Sequence, residues 1–572
     1  MAPRIRLLRL ILVLVLLVVA GRLVQIQVME SPHYQAAARG ELTQTVTVPA
    51  LRGGIFDRNG APLALSIPTK TVVADDFQVR HPVTEAQQLA PMLGVPAGTL
   101  AHELHLHSGY VPLVKNLSDA QASKVAAMDL PGITMLDNSY RVDPDGQLAQ
   151  SVLGGTNAAG KGSGGLEYQY QKLLAGSPSR EQLVESTGGV VLPQSGATQL
   201  VPGEAGTGIE LTLDAGLQYQ TEQALAAAIT STHAINGTAV VMDVKTGQVL
   251  SMANLVATPT GSVAQAPSNL AVTQTYEPGS VFKLVTFSGA LQDGIIDPNK
   301  TFFVPSSLSL DGSTFHDAEP HGDETLTATQ ILAQSSNIGT SEIAQALGES
   351  RLLSQIQNLG FGQKTGLDFP GESGGIVLGA SQWEPTDYVD MPIGQVDATT
   401  AMQVLDMMNS VADGGVLVQP KLVQARVAAD GSVKATAPSA RRQVMSPSTA
   451  TQLNNMLQQV VLQGTGTSAS IPGYDVAGKT GTASIPDPVH GGYIPNAYMA
   501  SFAGFAPADH PVFSAIVVLN QPTPVYGGTV AAPVFSQVVG YALHHYGIPT
   551  SPGAGTTSPA PATGTSPNQD VT

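Results

Sequence analysis

The chain has 572 residues, enough for two or three domains with substantial cores. Its 42% hydrophobic and 12% charged residues describe a globular protein, and a net charge of −17 argues against a nucleic-acid surface or a broad electrostatic grip on anionic membranes. There is no cysteine, which excludes disulfides, thiolate catalysis and cysteine-bound metals.

Arg4, Arg6 and Arg9 precede an apolar run over 10–21 that continues past Arg22 to Val28. The uninterrupted part is shorter than the about 20 residues of a bilayer span, but Arg9 and Arg22 near the ends can snorkel. A cleaved signal peptide shares the basic start, yet Ala20-Gly21 runs into Arg22 rather than a small-residue cleavage site. The stretch reads as an uncleaved signal anchor at 10–28. Positive charge on its N-terminal side puts 1–9 in the cytoplasm and the rest outside.

Residues 31–203 form a first outer region. Positions 43–48 alternate as a strand does, and Asn59-Gly60 marks a hairpin turn with 63–67 returning. Arg52, Asp57 and Arg58 around that turn read as a salt-bridged structural cluster. Gly162-Ser163-Gly164-Gly165 leads into a short amphipathic stretch ending at Leu174; without Gly-Lys-Ser/Thr it is not a phosphate loop.

A second region, 208–547, opens with a strand at 209–213, an alanine-rich helix at 218–229 and a hairpin of 238–243 with 248–252. Asp243 and Lys245 read as a pair within its turn. Helical patterns follow at 282–291, 328–335, 341–347 and 399–411, and strands return at 477–484, 498–505 and 513–519. Strands, then helices, then strands predict an antiparallel sheet with helices packed on it. From Ser551 to the end, the Ser/Pro/Gly/Ala/Thr composition reads as a disordered tail, 551–572.

The chemistry centres on Glu277-Pro278-Gly279-Ser280-Val281-Phe282-Lys283. Pro278-Gly279 marks a turn, which places Ser280 at or near a helix N-terminus, where backbone N–H groups favour the negative charge of an alkoxide or oxyanion. Lys283 lies one turn on, shares the face, and can act as base if desolvated. A capping serine followed by a surface lysine fits the same residues, so Ser-x-x-Lys alone decides nothing. Two further patterns decide. Ser335-Ser336-Asn337 ends a predicted helix, where a loop can aim Ser335 and Asn337 into a cleft. Lys479-Thr480-Gly481-Thr482 opens a strand whose lysine can hold a carboxylate, whose glycine allows close backbone approach, and whose edge can pair with a peptide. Lys364-Thr365-Gly366 repeats the tripeptide, but its setting between Gly362 and Pro370 reads as a loop.

Ser-x-x-Lys, Ser-x-Asn and Lys-Thr-Gly in that order are the signature of the serine penicillin-recognising enzymes. The chain resembles a class B penicillin-binding protein, a bacterial peptidoglycan D,D-transpeptidase, from the anchor to about Phe535. Further matches are Arg52-Gly53-x-Ile55-x-Asp57-Arg58-x-Gly60, Gly164-Gly165-Leu166-Glu167, Ile393-Gly394-Gln395, Gly464-Thr465-Gly466 and Gly527-Gly528-Thr529-Val530-Ala531. The resemblance implies an α/β (α+β) penicillin-binding transpeptidase fold over 208–547, with a five-stranded antiparallel sheet flanked by helices. It also implies an elongated, mainly-β pedestal of the dimerisation type over 31–203 and one transmembrane helix. Nothing before Gly203 resembles a glycosyltransferase.

The roles implied by the resemblance are these. Ser280 attacks the carbonyl between the last two D-alanines of a stem peptide; Lys283 takes its proton; Ser335 relays a proton to the leaving D-alanine; Asn337 bonds the substrate amide and Lys283. Lys479, Thr480, Gly481 and Thr482 bind substrate, and the backbone N–H groups of Ser280 and Thr482 hold the oxyanion. No cofactor or metal is implied: His316 and His321, flanking Asp317, read as loop histidines, and Trp383 as a packing residue. Implied partners are D-Ala-D-Ala stem peptides, β-lactams, divisome proteins and a membrane-embedded glycan polymerase of the shape-elongation-division-sporulation family. The place is the bacterial cytoplasmic membrane, with a single pass and an extracytoplasmic catalytic domain, and the role is septal rather than elongation-type. A serine β-lactamase would need a deacylating carboxylate such as Glu372, and a non-catalytic sensor would need a cytoplasmic signalling part.

Overall fold

The computed structural model describes residues 2–31, 43–106, 108, 111–184, 198–310 and 313–552. The N-terminal helix Ala2–Val24 runs on into a wider turn, Gln25–Met29, and is long and apolar enough to cross a membrane. Beyond it the chain separates into two compact units. The first holds 1–53, 65–142 and 175–207; the second holds 54–64, 143–174 and 208–572.

Within the first unit, strand Thr43–Val48 pairs antiparallel with Ser179–Val184, which pairs in turn with Thr198–Val201. From Leu65 onward the strand Pro62–Ala74 is flanked by Ile133–Val142 and, over its second half, by Val111–Leu117. Three short helices cover this sheet. Gly94 ends the first at φ 67, a left-handed closure that glycine adopts without strain. Ser118 and Gln121 form a reciprocal capping box at the start of the third. Val72, Ala74, Leu89, Leu100, Leu113 and Val125 make the core.

The second unit is a helix–sheet–helix sandwich. Its helices include α1 (Ala215–Thr232), α2 (Lys283–Gln292), α3 (Ala328–Gln334), α4 (Asn337–Leu347), α5 (Ala401–Ala412), α6 (Pro447–Gln463) and α7 (Ala532–His545). Its central sheet comprises β1 (Asn236–Asp243), β2 (Val249–Ala257), β3 (Val263–Gln265), β4 (Ala477–Pro486), β5 (Tyr493–Ala506) and β6 (Phe513–Asn520). The order is β3-β2-β1-β6-β5-β4, with antiparallel neighbours throughout. The expected five strands are there, and the short edge strand β3 adds a sixth.

The middle strands are buried on both faces. Alternate residues therefore enter two cores. Val240, Met242, Ile516 and Val518 join the layer containing α2, α5 and α6, whereas Ala239, Val241, Ala515 and Val517 join α1 and α7. Helix starts follow their sequences: Asp214 caps α1 through Leu217 N–H, and Thr327 and Thr400 open α3 and α5 with capping boxes to Gln330 and Gln403. Because α2 and α5 carry buried residues all round, they lie inside the domain.

Two early features differ from expectation. The turn at Asn59-Gly60 is held by the Asp57 carboxylate, which accepts from Asn59 N–H and Ala61 N–H at 2.8 Å. Arg58 turns instead to the Tyr546 hydroxyl at 3.1 Å and lies over its ring. At the other end Ser551 is buried and donates to Asp509 Oδ1 at 2.9 Å, so the packed chain extends past the expected start of the tail. Residues 553–572 lie outside the described residues.

Candidate active site

Ser280 sits in a single 3-10 turn, Gly279–Phe282, which feeds directly into α2. The turn is clamped on two sides. Gly279 has φ 59, and a Cβ there would stand 2.8 Å from Thr482 O. Its N–H donates to Gly394 O at 2.9 Å, and a Cβ on Gly394 would lie 2.2 Å from Gly279 O. Pro278-Gly279 and Ile393-Gly394-Gln395 are therefore two halves of one tight crossing that seats the serine.

The edge strand β4 passes beside this turn. Thr482 O points at Gly279 and away from β5. In an antiparallel ladder the N–H and C=O of one residue point the same way, so Thr482 N–H faces the Ser280 turn as well. Gly481 is demanded by the protein's own packing: a Cβ there would stand 2.3 Å from Ser501 Oγ and 2.9 Å from Pro278 O.

Ser335 caps α3 in the left-handed region at φ 64, a costly conformation for a residue with a Cβ. Asn337 then begins α4. The reversal brings both side chains onto Lys283, whose Nζ donates to Ser335 O at 2.5 Å, Ser335 Oγ at 3.2 Å and Asn337 Oδ1 at 2.8 Å. Lys479 Nζ reaches the same Ser335 Oγ at 2.9 Å and Thr480 O at 3.2 Å. Among the described residues Ser280 Oγ has no hydrogen-bond partner, so Lys283 is held by the second motif and not by the serine one turn away.

Both lysines are 0% exposed. Burial drives the Lys283 ammonium down to about 7, against an opposing pull from Asp317. Burial also lowers Lys479, and the charge of Lys283 lowers it further. Two cations sharing one hydroxyl cannot both hold their protons at ordinary cost, so the pair titrates jointly and near neutral pH has a base to offer.

Several residues that the sequence displays without a role also belong to the site. Thr465 shares a hydrogen bond with Thr480 between hydroxyls 2.7 Å apart, and its N–H donates to Ala333 O at 3.2 Å, tying β4 to α3. Gly527 N–H donates to Thr482 Oγ1 at 3.2 Å. The Gly464-Thr465-Gly466 and Gly527-Gly528-Thr529 matches thus belong to the site as its frame. Glu277, three residues before the serine, accepts from the Tyr493 hydroxyl at 3.1 Å. Its carboxyl is pushed up to about 7, chiefly by burial, with Asp390 and Asp397 adding repulsion. Asp317 accepts from Asn337 N–H at 2.5 Å and Ile338 N–H at 2.9 Å. A local signal, an aspartate between two histidines, was visible; its partners 20 and 21 residues on were not.

Other candidates stand apart. Lys364 is exposed in an irregular loop, and Glu372 is buried where it accepts from Thr365 N–H at 2.8 Å and Thr365 Oγ1 at 2.5 Å. Trp383 packs edge-on to Tyr388 and donates Nε1 to Leu378 O. The His316 ring meets Ser306 O, while His321 Nε2 lies 3.1 Å from Asp317 Oδ2. Lys245 leaves its turn for Asp413 at 2.6 Å, and Asp243 caps that turn.

A serine at a helix start, with two desolvated lysines meeting at a second serine, has the parts that acyl transfer requires. The chain belongs to the class B penicillin-binding proteins: the penicillin-binding protein transpeptidase domain matches 237–540, and the dimerisation domain matches 47–211. It is 33% identical over 580 residues to penicillin-binding protein PbpB of Mycobacterium tuberculosis, covering 95% of this chain and 85% of that one. It is 30% identical over 552 residues to peptidoglycan D,D-transpeptidase FtsI of Escherichia coli, covering 94% and 91%. Among solved structures it is similar to penicillin-binding protein 3 of Mycobacterium tuberculosis complexed with ampicillin, with TM-score 0.70 and 31% identity over 89% of this chain and 98% of that chain.

Proposed function

We propose that Ser280 is the nucleophile of a peptidoglycan D,D-transpeptidase and that β-lactams acylate the same hydroxyl. The observation that carries this reading is the convergence of Lys283, Ser335, Asn337 and Lys479 from three separate stretches of chain into one hydrogen-bonded set beside the Ser280 turn. Peptidoglycan D,D-transpeptidase is also the activity in the name of the Escherichia coli relative, and a β-lactam is bound in the mycobacterial one.

The chemistry follows from the geometry. Neutral Lys283 takes the Ser280 proton as Oγ bonds to the carbonyl carbon of the penultimate D-alanine. The oxyanion forms between the N–H groups of Ser280 and Thr482; a donor of this kind is worth roughly 3 kcal/mol of barrier. The C–N bond breaks, and the terminal D-alanine leaves with a proton passed by Ser335, which bonds both lysines. Lys479 and the hydroxyls of Thr480 and Thr482 hold the terminal carboxylate, while the open edge of β4, Gly481 included, pairs with the peptide backbone. An amine of a second stem peptide then attacks the ester carbonyl; Lys283, which gave its first proton to the leaving group through Ser335, takes the amine's proton and passes it to Ser280 Oγ as the ester C–O bond breaks.

The wider setting is part of the same proposal. Residues 10–28 anchor the chain in the cytoplasmic membrane with 1–9 inside; 31–203 form the pedestal; and 208–547 are the transpeptidase domain. A septal role with divisome proteins and a membrane-embedded glycan polymerase as partners fits a chain whose matched domains are the transpeptidase and dimerisation domains.

Fluorescent penicillin on the purified chain tests the nucleophile. Ser280→Ala should lose covalent labelling entirely, while Ser335→Ala labels slowly. The reverse pattern would sink the assignment.

A further inference from the structure

We propose that Asp317 is a positioning residue of the acylation machinery, setting the orientation of Asn337 and the proton balance of Lys283 from outside the three motifs. The inference rests on the transpeptidase reading above and adds a residue to it.

Helix α4 begins at Asn337, whose side chain bonds Lys283. Helix N-termini leave N–H groups without intrahelical partners. Here Asp317 Oδ1 takes those of Asn337 at 2.5 Å and Ile338 at 2.9 Å, and Ser336 Oγ takes that of Gly339 at 2.9 Å. A loop side chain thus does work usually left to the cap residue, and it does so at the residue that bonds Lys283.

Asn337 Nδ2 donates to His316 O at 3.2 Å, and only in that orientation does Oδ1 face Lys283 Nζ at 2.8 Å. Turned over, the amide would set N–H donors against an ammonium. The dipeptide His316-Asp317 therefore grips Asn337 at both its backbone and its side chain.

Lys283 faces Lys479 from β4, the neutral groups Ser335 and Asn337, and Asp317 across α4. Asp317 pulls the ammonium upward against the downward push of burial. Its carboxylate is 10% exposed, and Oδ2 is held by His321 Nε2 at 3.1 Å; His321 Nδ1 lies 3.4 Å from Glu324. The imidazole is raised above its ordinary value, first by its bond to Gly322 O and then by these two carboxylates, so it carries charge in mildly acid solution and weakens the reach of Asp317.

The signs are opposite for two variants. Asp317→Asn keeps an oxygen for the two N–H groups and removes the negative charge, so Lys283 loses its proton more readily. Its acylation rate should then show an acid limb displaced downward by about one pH unit. His321→Gln keeps a donor to Asp317 but removes the imidazolium, so the limb should move upward. Asp317→Ala, which also frees α4 and Asn337, should lower the plateau about tenfold, in line with a lost helix cap at a reacting group.

The experiment measures the second-order rate of acylation of the full-length purified chain by fluorescent penicillin from pH 5 to 9, with Tm recorded for each variant. Opposite displacements of the limb support the proposal. A limb that stays put in Asp317→Asn, with or without a lower plateau, overturns it. If that variant does not fold, a limb that fails to rise in His321→Gln overturns it. Labelling of Ser280→Ala in the same assay would refute the nucleophile reading and leaves a separate trace.

Discussion

Two copies of Lys-Thr-Gly in one chain have opposite fates. Lys479 is fully buried on an edge strand, bonded to Ser335 Oγ, with its charge depressed by burial. Lys364 is exposed in a loop where Thr365 serves to bond Glu372 and Gly366 O accepts from Gln419 Nε2 at 2.6 Å. The glycines differ in kind as well. Gly366 is needed for its backbone, at φ 84, whereas Gly481 is needed for space against Ser501 and Pro278. The tripeptide is not the functional unit. What sets the Lys479 copy apart is a strand edge without a partner among the described residues, a frame that buries its lysine, and a serine from another helix to receive that lysine's hydrogen bond.

The sharpest way to break this contrast is to truncate each lysine. Lys479→Ala should reduce acylation by fluorescent penicillin by about 100-fold or more, the size expected for a lost electrostatic group in a closed site, and Lys364→Ala should stay within about twofold. Equal losses would mean that the loop copy is also part of the site.

The glycines separate folding from chemistry. Gly481→Ala places its methyl against Pro278 O and Ser501, and should cost about 1–3 kcal/mol together with most of the acylation rate. Gly366→Ala meets strain of about 1–2 kcal/mol from its backbone, so thermal melting should show a lower Tm with an unchanged acylation rate in the folded protein.

The smallest effect compares the carboxyls near each copy. Glu277, raised to about 7 in the folded chain, prefers to be protonated there. Its contribution is therefore full below its unfolded value near 4.5 and lost as pH rises through about 7. Glu277→Gln should raise Tm by about 2 °C at pH 8 and leave it unchanged at pH 4. A uniform shift at both values would mean that packing, and not ionisation, governs that position. For Glu372, whose oxygen is already taken by Thr365, the same exchange keeps an acceptor and should lower Tm only slightly, by weakening those two bonds.

Much of the site was legible because its signals are local. Pro278-Gly279 announces a turn, and a 3-10 turn is there; the strand and helix periods found β1, β2, β4, β5, β6 and α1 to α5 with ends shifted by a few residues. The three motifs in order favoured Lys479 over Lys364, and it is Lys479 that reaches Ser335 Oγ beside Lys283. Illegible were the contacts that join distant stretches: Thr465 to Thr480, Gly394 to Gly279, Asp317 to Asn337, Arg58 to Tyr546. The pairing of Ile55–Phe56 in parallel with Gly208–Leu211 belongs to the same group, since it draws a segment of early chain into the second unit.

Sequence alone thus singled out the residues proposed to carry the chemistry, because acyl transfer demands a nucleophile, a base and a carboxylate holder of recognisable type at recognisable turns. Tertiary structure alone decided what state those residues are in. The bond from Lys283 to Ser335 and Asn337, rather than to Ser280, depends on the left-handed bend at Ser335 and on the brace from Asp317. The low proton affinity of both lysines depends on burial by chain hundreds of residues away, and desolvation is a property of a packed interior that no short stretch of sequence possesses.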